Sequence, residues 1–380
     1  MPPKQSTSSK GLHDPRRHVG IHPEHVSNVS STDYPGHYPH EDHSWDLVKF
    51  AKNLQVKVQR LSGRSIDFDM VGVDASIANA FRRIMIAEVP AICVENVYVF
   101  NNTSVIVDEI LSHRIGMVPL NVDPALIDIK DSITDQPTDR NTLVFKLSAE
   151  CTRNPKAPKG STNPAELYHN SELLSSHLRW EPQGEQAVVF GDNPPAPTNP
   201  NIVLVKLRPG QSVDMELHAV KGVGKDHAKF TPVATASYRI LPLIILNPSK
   251  PVPPELAEKF AGCFAPGVIK VDPRTKAVSV DEKNMRRDTV SREVYRHPEF
   301  EGCVELKRVR DFFLFRVESE SFYKPENLLP EAIKIMRGKL ATIRKAAEAL
   351  LQDSDAIDEE MAAGQVRADA TGAGTTVGDG

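Results

Sequence analysis

Leu329, Ile333, Met336, Leu340, Ile343, Ala347 and Leu350 follow one another at spacings of 4, 3, 4, 3, 4 and 3. A period of 3.5 sustained over about three heptads describes a helix with one narrow apolar seam. Pro325 suits its first turn, and at about 1.5 Å per residue the helix is expected to run roughly 40 Å. Lys334, Arg337, Arg344 and Lys345 lie off the seam. Gly338 lies off it too, at a cost of about 1 kcal/mol relative to Ala. A seam this long is hard to bury inside one small domain. It can be covered by a helix of another chain or by the chain's own core, and the pattern leaves both open. Beyond Asp353 the sequence turns acidic and then rich in Gly, Ala and Thr, so residues 353–380 are expected to be disordered.

A second helix is predicted from Asp74 to about Glu88. Asp74 is a suitable N-cap, and Pro90 disfavours helix at Val89. Ile77, Ala80, Phe81, Ile84 and Met85 form one apolar stripe, while Asn79, Arg82, Arg83 and Ile86 form another face. Periodicity alone favours a solvated arginine pair on an ordinary core helix. The alternative is a helix buried on one side and docked to another protein on the other.

The 380 residues suffice for two or three domains, and a formal net charge of -4 gives no bulk electrostatic case for nucleic-acid binding. No run is long and apolar enough for a membrane span, and no secretory signal opens the chain. Cys93, Cys151, Cys263 and Cys303 stand far apart, without a disulfide framework, which fits a reducing compartment. Residues 1–44, rich in Ser, Pro and His, read as a disordered leader. From Trp45 the chain becomes globular. Strands are expected at 54–58, 65–71, 91–100, 142–150, 202–207, 214–220 and 237–246, and short helices at 108–113 and 255–262. Residues 285–295 read as helical, and 303–309 with 312–319 as a hairpin.

Four ordered blocks then carry a family resemblance. They are Ile77–Pro90, Asp108–Leu120, Lys221–Pro232 and Phe315–Ile333. Together they resemble the alpha-subunit family of multisubunit RNA polymerases, and within it the alpha-like form shared by eukaryotic polymerases I and III. The resemblance implies an α+β fold. A split dimerisation domain, antiparallel strands plus two packing helices from residues 45–96 and 300–352, is interrupted by a mixed, strand-rich insert domain over 97–299. It implies an obligate heterodimer with a smaller alpha-like subunit, through Ile77, Phe81, Ile84, Met85, Leu329, Ile333, Met336, Leu340, Ile343 and Leu350. Asn79, Arg82 and Arg83 match the segment that faces a large catalytic subunit. The implied role is a non-catalytic assembly scaffold for rRNA, 5S rRNA and tRNA synthesis in the nucleus, including the nucleolus. Little or no direct contact with nucleic acid, and none with a membrane, is expected.

Chemistry of its own is not legible. Lys221-Gly-Val-Gly-Lys225 lacks the spacing and the hydroxyl of a phosphate loop, with Asp226 where Ser or Thr should stand. His218 and His227 with Asp226 could be drawn as a metal site, but no further close ligand joins them. The polymerase II relative carries a cysteine-rich zinc loop after the block ending at Leu120, and some archaeal relatives carry an iron–sulfur insert. Residues 121–150 contain no cysteine and no Cys-x-x-Cys occurs anywhere, so no metal or cofactor is expected. Three other readings stay open: the polymerase II alpha-like subunit, a free-standing dimeric scaffold, and an enzyme with its own active site.

Overall fold

The structure, a computed structural model, describes residues 17–29, 44–130 and 136–372, with side chains as far as Leu351. In chain order its main elements begin with strands β1 (His18–Ile21) and β2 (Val26–Ser27), helix α1 (Leu47–Asn53), strands β3 (Gln55–Leu61) and β4 (Ser65–Val71) and helix α2 (Ala75–Ala87). Strand β5 (Pro90–Asn102), helix α3 (Asp108–Gly116) and strands β6 (Thr142–Glu150), β7 (Arg179–Glu181), β8 (Val203–Lys206), β9 (Ser212–Val223) and β10 (Val233–Leu246) follow. Helix α4 (Ala257–Gly262), strand β11 (Val304–Ser319) and helix α5 (Pro325–Gly372) complete the set. Mixed helices and antiparallel sheets make this an α+β protein.

β11 is the spine of the largest sheet, whose order is β2-β1-β11-β4-β3, with β10 along the other edge of β11. The expected hairpin at 303–319 is instead this one bent strand. No turn residue interrupts it. The β10 ladder slips between Ile240, opposite Phe313, and Leu241, opposite Val309. At that bulge β11 changes partner on its other side, from β1 (Leu306 opposite Ile21) to β4 (Phe313 opposite Met70). Its backbone groups are satisfied from outside the ladder: the Arg310 N–H donates to the Arg17 carbonyl (2.8 Å), and the Asp311 carbonyl accepts from Gly72 (2.9 Å). A bulge of this kind twists a strand enough to serve two neighbours. The disordered reading of residues 1–44 is corrected for 17–29. Val19 and Ile21 are buried there, a two-residue apolar signal too short to stand out before the edge of β11 is known. His13, His37, His40 and His43 lie outside the described residues.

Two helices cover one face of this sheet. α2 lies over β10 and β11, and α5 over β11 and β4. Phe68 and Phe315 stack beneath them with centroids 5.0 Å apart, and Met85, Phe313, Leu328 and Ala332 are fully enclosed. All of β3, the last strand, is exposed among the described residues. Val56 and Val58 stand opposite Met70 and Phe68, hence on the same face, yet both are exposed, as is Leu61.

A second core lies between the sheet β7-β6-β9-β5 and α3. β9 alternates strictly, burying Val213, Met215, Leu217 and Ala219 while Asp214, Glu216 and His218 face outward. A third core joins Val19, Ile21 and Leu306 to Ile244, Phe260 of α4 and Phe300. The insert boundaries drawn at 97 and 299 do not follow these layers. β5 runs through Asn96 and Val97 without a break, and β10 belongs to the β11 sheet. The segment 285–295 is two 3-10 turns, Met285–Arg287 and Glu293–Arg296, rather than a helix. α5 does not stop near 352 but continues to Gly372, because no residue between Asp353 and Thr371 is a strong breaker apart from Gly364.

Candidate functional site

α2 forms where the sequence places it. The Asp74 carboxylate accepts from the Ser76 N–H at 2.8 Å, and hydrogen bonding to Ser76 holds the carboxyl below its ordinary range. At the other end the block Lys221–Pro232 clamps the helix. The Lys225 N–H donates to the Ala87 carbonyl (2.8 Å) and the Thr231 hydroxyl to the Ile86 carbonyl (3.1 Å). The block's glycines are explained by close approach. A Cβ on Gly222 would strike the Phe230 ring, and one on Gly224 would strike the Ile86 carbonyl oxygen. These glycines seat a helix. His218 hydrogen-bonds Glu216 (3.0 Å), while the His227 ring accepts from the Lys229 N–H (3.1 Å). Among the described residues no group of three His, Cys, Asp or Glu is placed to hold a metal.

The block Asp108–Leu120 is structural in the same way. Leu111 and Ile115 of α3 are buried, and Arg114 donates to the carbonyls of Leu204 (2.9 Å) and Val203 (2.6 Å) in β8. His113, His227 and Lys229 line a cavity of about 260 Å³ between α3 and β5. Its ammonium is already engaged: Lys229 Nζ donates to the Val94 carbonyl (2.8 Å) and pairs with Glu95. Beside it burial pushes the Cys93 thiol up to about 12, so this sulfur stays protonated rather than nucleophilic.

Among the described residues a long apolar row without internal cover lies on α5. Leu328 and Ala332 turn into the core, with Leu329 and Met336 packed at its edge. Further along the seam the side chains point to solvent: Ile333 is 39% exposed, Leu340 56%, Ile343 65% and Leu350 70%. Every residue from Arg337 to Leu351 is exposed. Single exposed apolar residues are ordinary, but a periodic row of them on a projecting helix marks a contact surface. Two residues expected at this surface are corrected. Ile84 and Met85 are enclosed in the chain's own core, because they sit on the side of α2 that faces β10 and β11. Ile77 and Phe81 are half-buried at the margin of that core. Val56, Val58 and Leu61 of β3 were not legible as surface residues. Their alternation signals a half-buried strand but not which layer covers it.

The polar face of α2 is partly organised. The Arg82 guanidinium donates from Nε (3.1 Å) and Nη2 (2.9 Å) to the Asn79 carbonyl oxygen. That fixes the plane of the fork and leaves other N–H groups outward. Arg83 is exposed.

α5 thus presents a row of exposed apolar side chains, and among the described residues the edge strand β3 of the sheet beneath it is exposed as well. Residues 67–340 match the family model described as the RNA polymerase Rpb3/Rpb11 dimerisation domain, and the chain belongs to that family. It is 49% identical over 324 residues, 84% of this chain and 96% of the other, to the DNA-directed RNA polymerases I and III subunit RPAC1 of Saccharomyces cerevisiae. The human protein of that name is 44% identical over 346 residues, 91% and 99% of the two chains. The DNA-directed RNA polymerase II subunit rpb3 of Dictyostelium discoideum is more distant, at 32% over 317 residues, 81% and 100%.

Proposed function

We propose that this chain is the alpha-like subunit common to DNA-directed RNA polymerases I and III. It forms a heterodimer with a smaller, Rpb11-type subunit and acts as a non-catalytic platform on which the large catalytic subunits assemble. The observation that carries this reading is the solvent-facing seam of α5, beside a sheet face that runs uncovered onto β3. Covering both takes a helix from another chain. Residues 45–96 and 300–352, with β10 added, form the pairing domain, and Ile333, Leu340, Ile343 and Leu350 are its contact residues. Asn79, Arg82 and Arg83 face a large subunit, since a braced arginine fork suits directed hydrogen bonds at a protein interface. Its place of work is the nucleus, including the nucleolus. The polymerase II alternative is less favoured, because identity to the rpb3 protein is lower than to the I and III subunits. Affinity purification of the tagged chain from native extract tests the reading. Recovery of the large subunits of both polymerases I and III is expected. Recovery of polymerase II alone, or of no large subunit, would overturn it.

A further inference from the structure

From Ala332 to Leu351, α5 carries five cations, Lys334, Arg337, Lys339, Arg344 and Lys345, against one carboxylate, Glu348. Three of the cations border the apolar seam. Arg337 and Arg344 each follow a seam residue, Met336 and Ile343, on one border; Lys339 precedes Leu340 on the other. The chain neutralises them incompletely. Lys339 reaches Glu88 of α2 at 2.6 Å, and Arg344 lies 4.0 Å from Glu348, 77% exposed. Among the described residues no carboxylate pairs with Arg337.

We propose that this basic border selects the partner: the seam takes an amphipathic helix whose own apolar stripe is edged with Asp and Glu, supplied by the smaller alpha-like subunit. The inference rests on the pairing proposed above and adds the charge pattern that the partner must carry. Opposite charges across a seam speed encounter and fix register, and like charges penalise the wrong partner. A second copy of the same stretch is such a wrong partner. Laid parallel, Lys339 of one copy faces Arg344 of the other; laid antiparallel about position 344, the two arginines meet. The acid-rich part of this chain's own helix is 353–360, with Asp353, Asp355, Asp358, Glu359 and Glu360 in sequence. An antiparallel second copy shifted onto that stretch is therefore the competing occupant.

A competition experiment separates these cases. Differently tagged wild-type and Arg337→Glu/Arg344→Glu chains are co-expressed with a limiting amount of the small Rpb11-type subunit, and the partner captured by each is measured. Both positions are exposed, so the fold is expected to survive, and a matched melting temperature of the two purified complexes checks this. The double reversal should capture about tenfold less partner, Arg337→Lys/Arg344→Lys should capture nearly the wild-type amount, and raising the salt during subunit exchange should close the gap. Equal capture by the double reversal overturns the selector. Leu340→Asp is run alongside: if it too captures partner normally, the pairing reading itself fails, whereas its loss with equal capture by the charge variant overturns the charge pattern alone. Sedimentation of the wild-type chain as a salt-sensitive homodimer that a truncation at Gln352 abolishes would assign the border to a second copy, and would also overturn the proposal.

Discussion

A methyl group added at Gly224 would land on the Ile86 carbonyl oxygen and the Thr231 hydroxyl, both fixed by the last turn of α2. Gly224→Ala is therefore expected to destabilise the chain by about 1–3 kcal/mol. Gly338 has nothing within 4 Å of the same position and lies on an exposed part of α5, so Gly338→Ala should stabilise by about 1 kcal/mol. Opposite shifts in thermal midpoint, read on the purified heterodimer, check the pair. The other residue-scale commitment is Asp69, 4% exposed on β4. It pairs with Arg286 at 2.5 Å and accepts from Gln59 Nε2 at 2.5 Å, tying the 285–287 turn to the large sheet. Removing one partner of such a pair strands the other charge, so Arg286→Ala should cost about 3–5 kcal/mol, while Asp69→Leu with Arg286→Met should be far milder. Denaturant midpoints decide between them. None of this was legible from sequence: Asp69 sits in an alternating strand like any solvent-facing residue, and its partner is more than two hundred residues away. The clamp on α2 was half legible. The glycines of 221–225 read as a glycine-rich turn rather than a phosphate loop, but Gly222 lies in β9 and the helix they approach was not legible.

At the scale of elements, local signals were read well and neighbours poorly. The Asp74 cap, the end of α2 near Glu88 and the strand 142–150 came through because each depends on contacts within a few residues. β11 was split in two at Arg310 and Asp311, the two residues left between the strands of the expected hairpin, whereas they mark a change of partner strand. The hairpin at 18–27 was missed because its burial is conferred by β11, not by its own composition. The seam of α5 was read correctly as a period but not as a division of labour: Leu328 and Ala332, off the seam, hold the helix to the core, and the seam itself runs out into solvent. This makes a sharp contrast available within one helix. Leu328→Asp buries an unpaired carboxylate in the chain's own core and should prevent folding, since that cost reaches several kcal/mol. Leu340→Asp should leave the chain folded and remove only the heterodimer, because its site is desolvated solely on pairing, and Lys345→Ala should be nearly neutral. Circular dichroism separates the first outcome from the second, and co-purification of the small subunit separates the second from the third.

At the scale of the whole molecule the two features sit on different helices and differ in chemistry, so they call for different partners. The seam of α5 is apolar and suits a contact that excludes water over a long row, whereas Asn79, Arg82 and Arg83 on α2 are polar and suit a contact built from directed hydrogen bonds. In the sequence that division came only from the family resemblance, since periodicity alone favoured a solvated arginine pair on α2 and left the cover of the α5 seam open. What the sequence did not show is that the apolar side of α2 is already spent on the chain's own core, so that Ile84 and Met85 lend nothing to a partner. Assembly should therefore proceed in two separable steps. Arg82→Glu/Arg83→Glu leaves the core side of α2 and all of α5 untouched, so the variant should fold and form the heterodimer with wild-type affinity. It should then fail to carry a large subunit, because donors at that contact are replaced by charges that repel its acceptors, a loss of about 2–5 kcal/mol for a buried arginine contact. Leu340→Asp, in contrast, should lose both steps. Native mass spectrometry of complexes assembled in cells reads the two steps at once. Heterodimer without large subunits is the expected species for the arginine variant. Complete polymerase carrying both reversed charges would show Arg82 and Arg83 to be solvated in the assembly as well, and would move the large-subunit contact to another face.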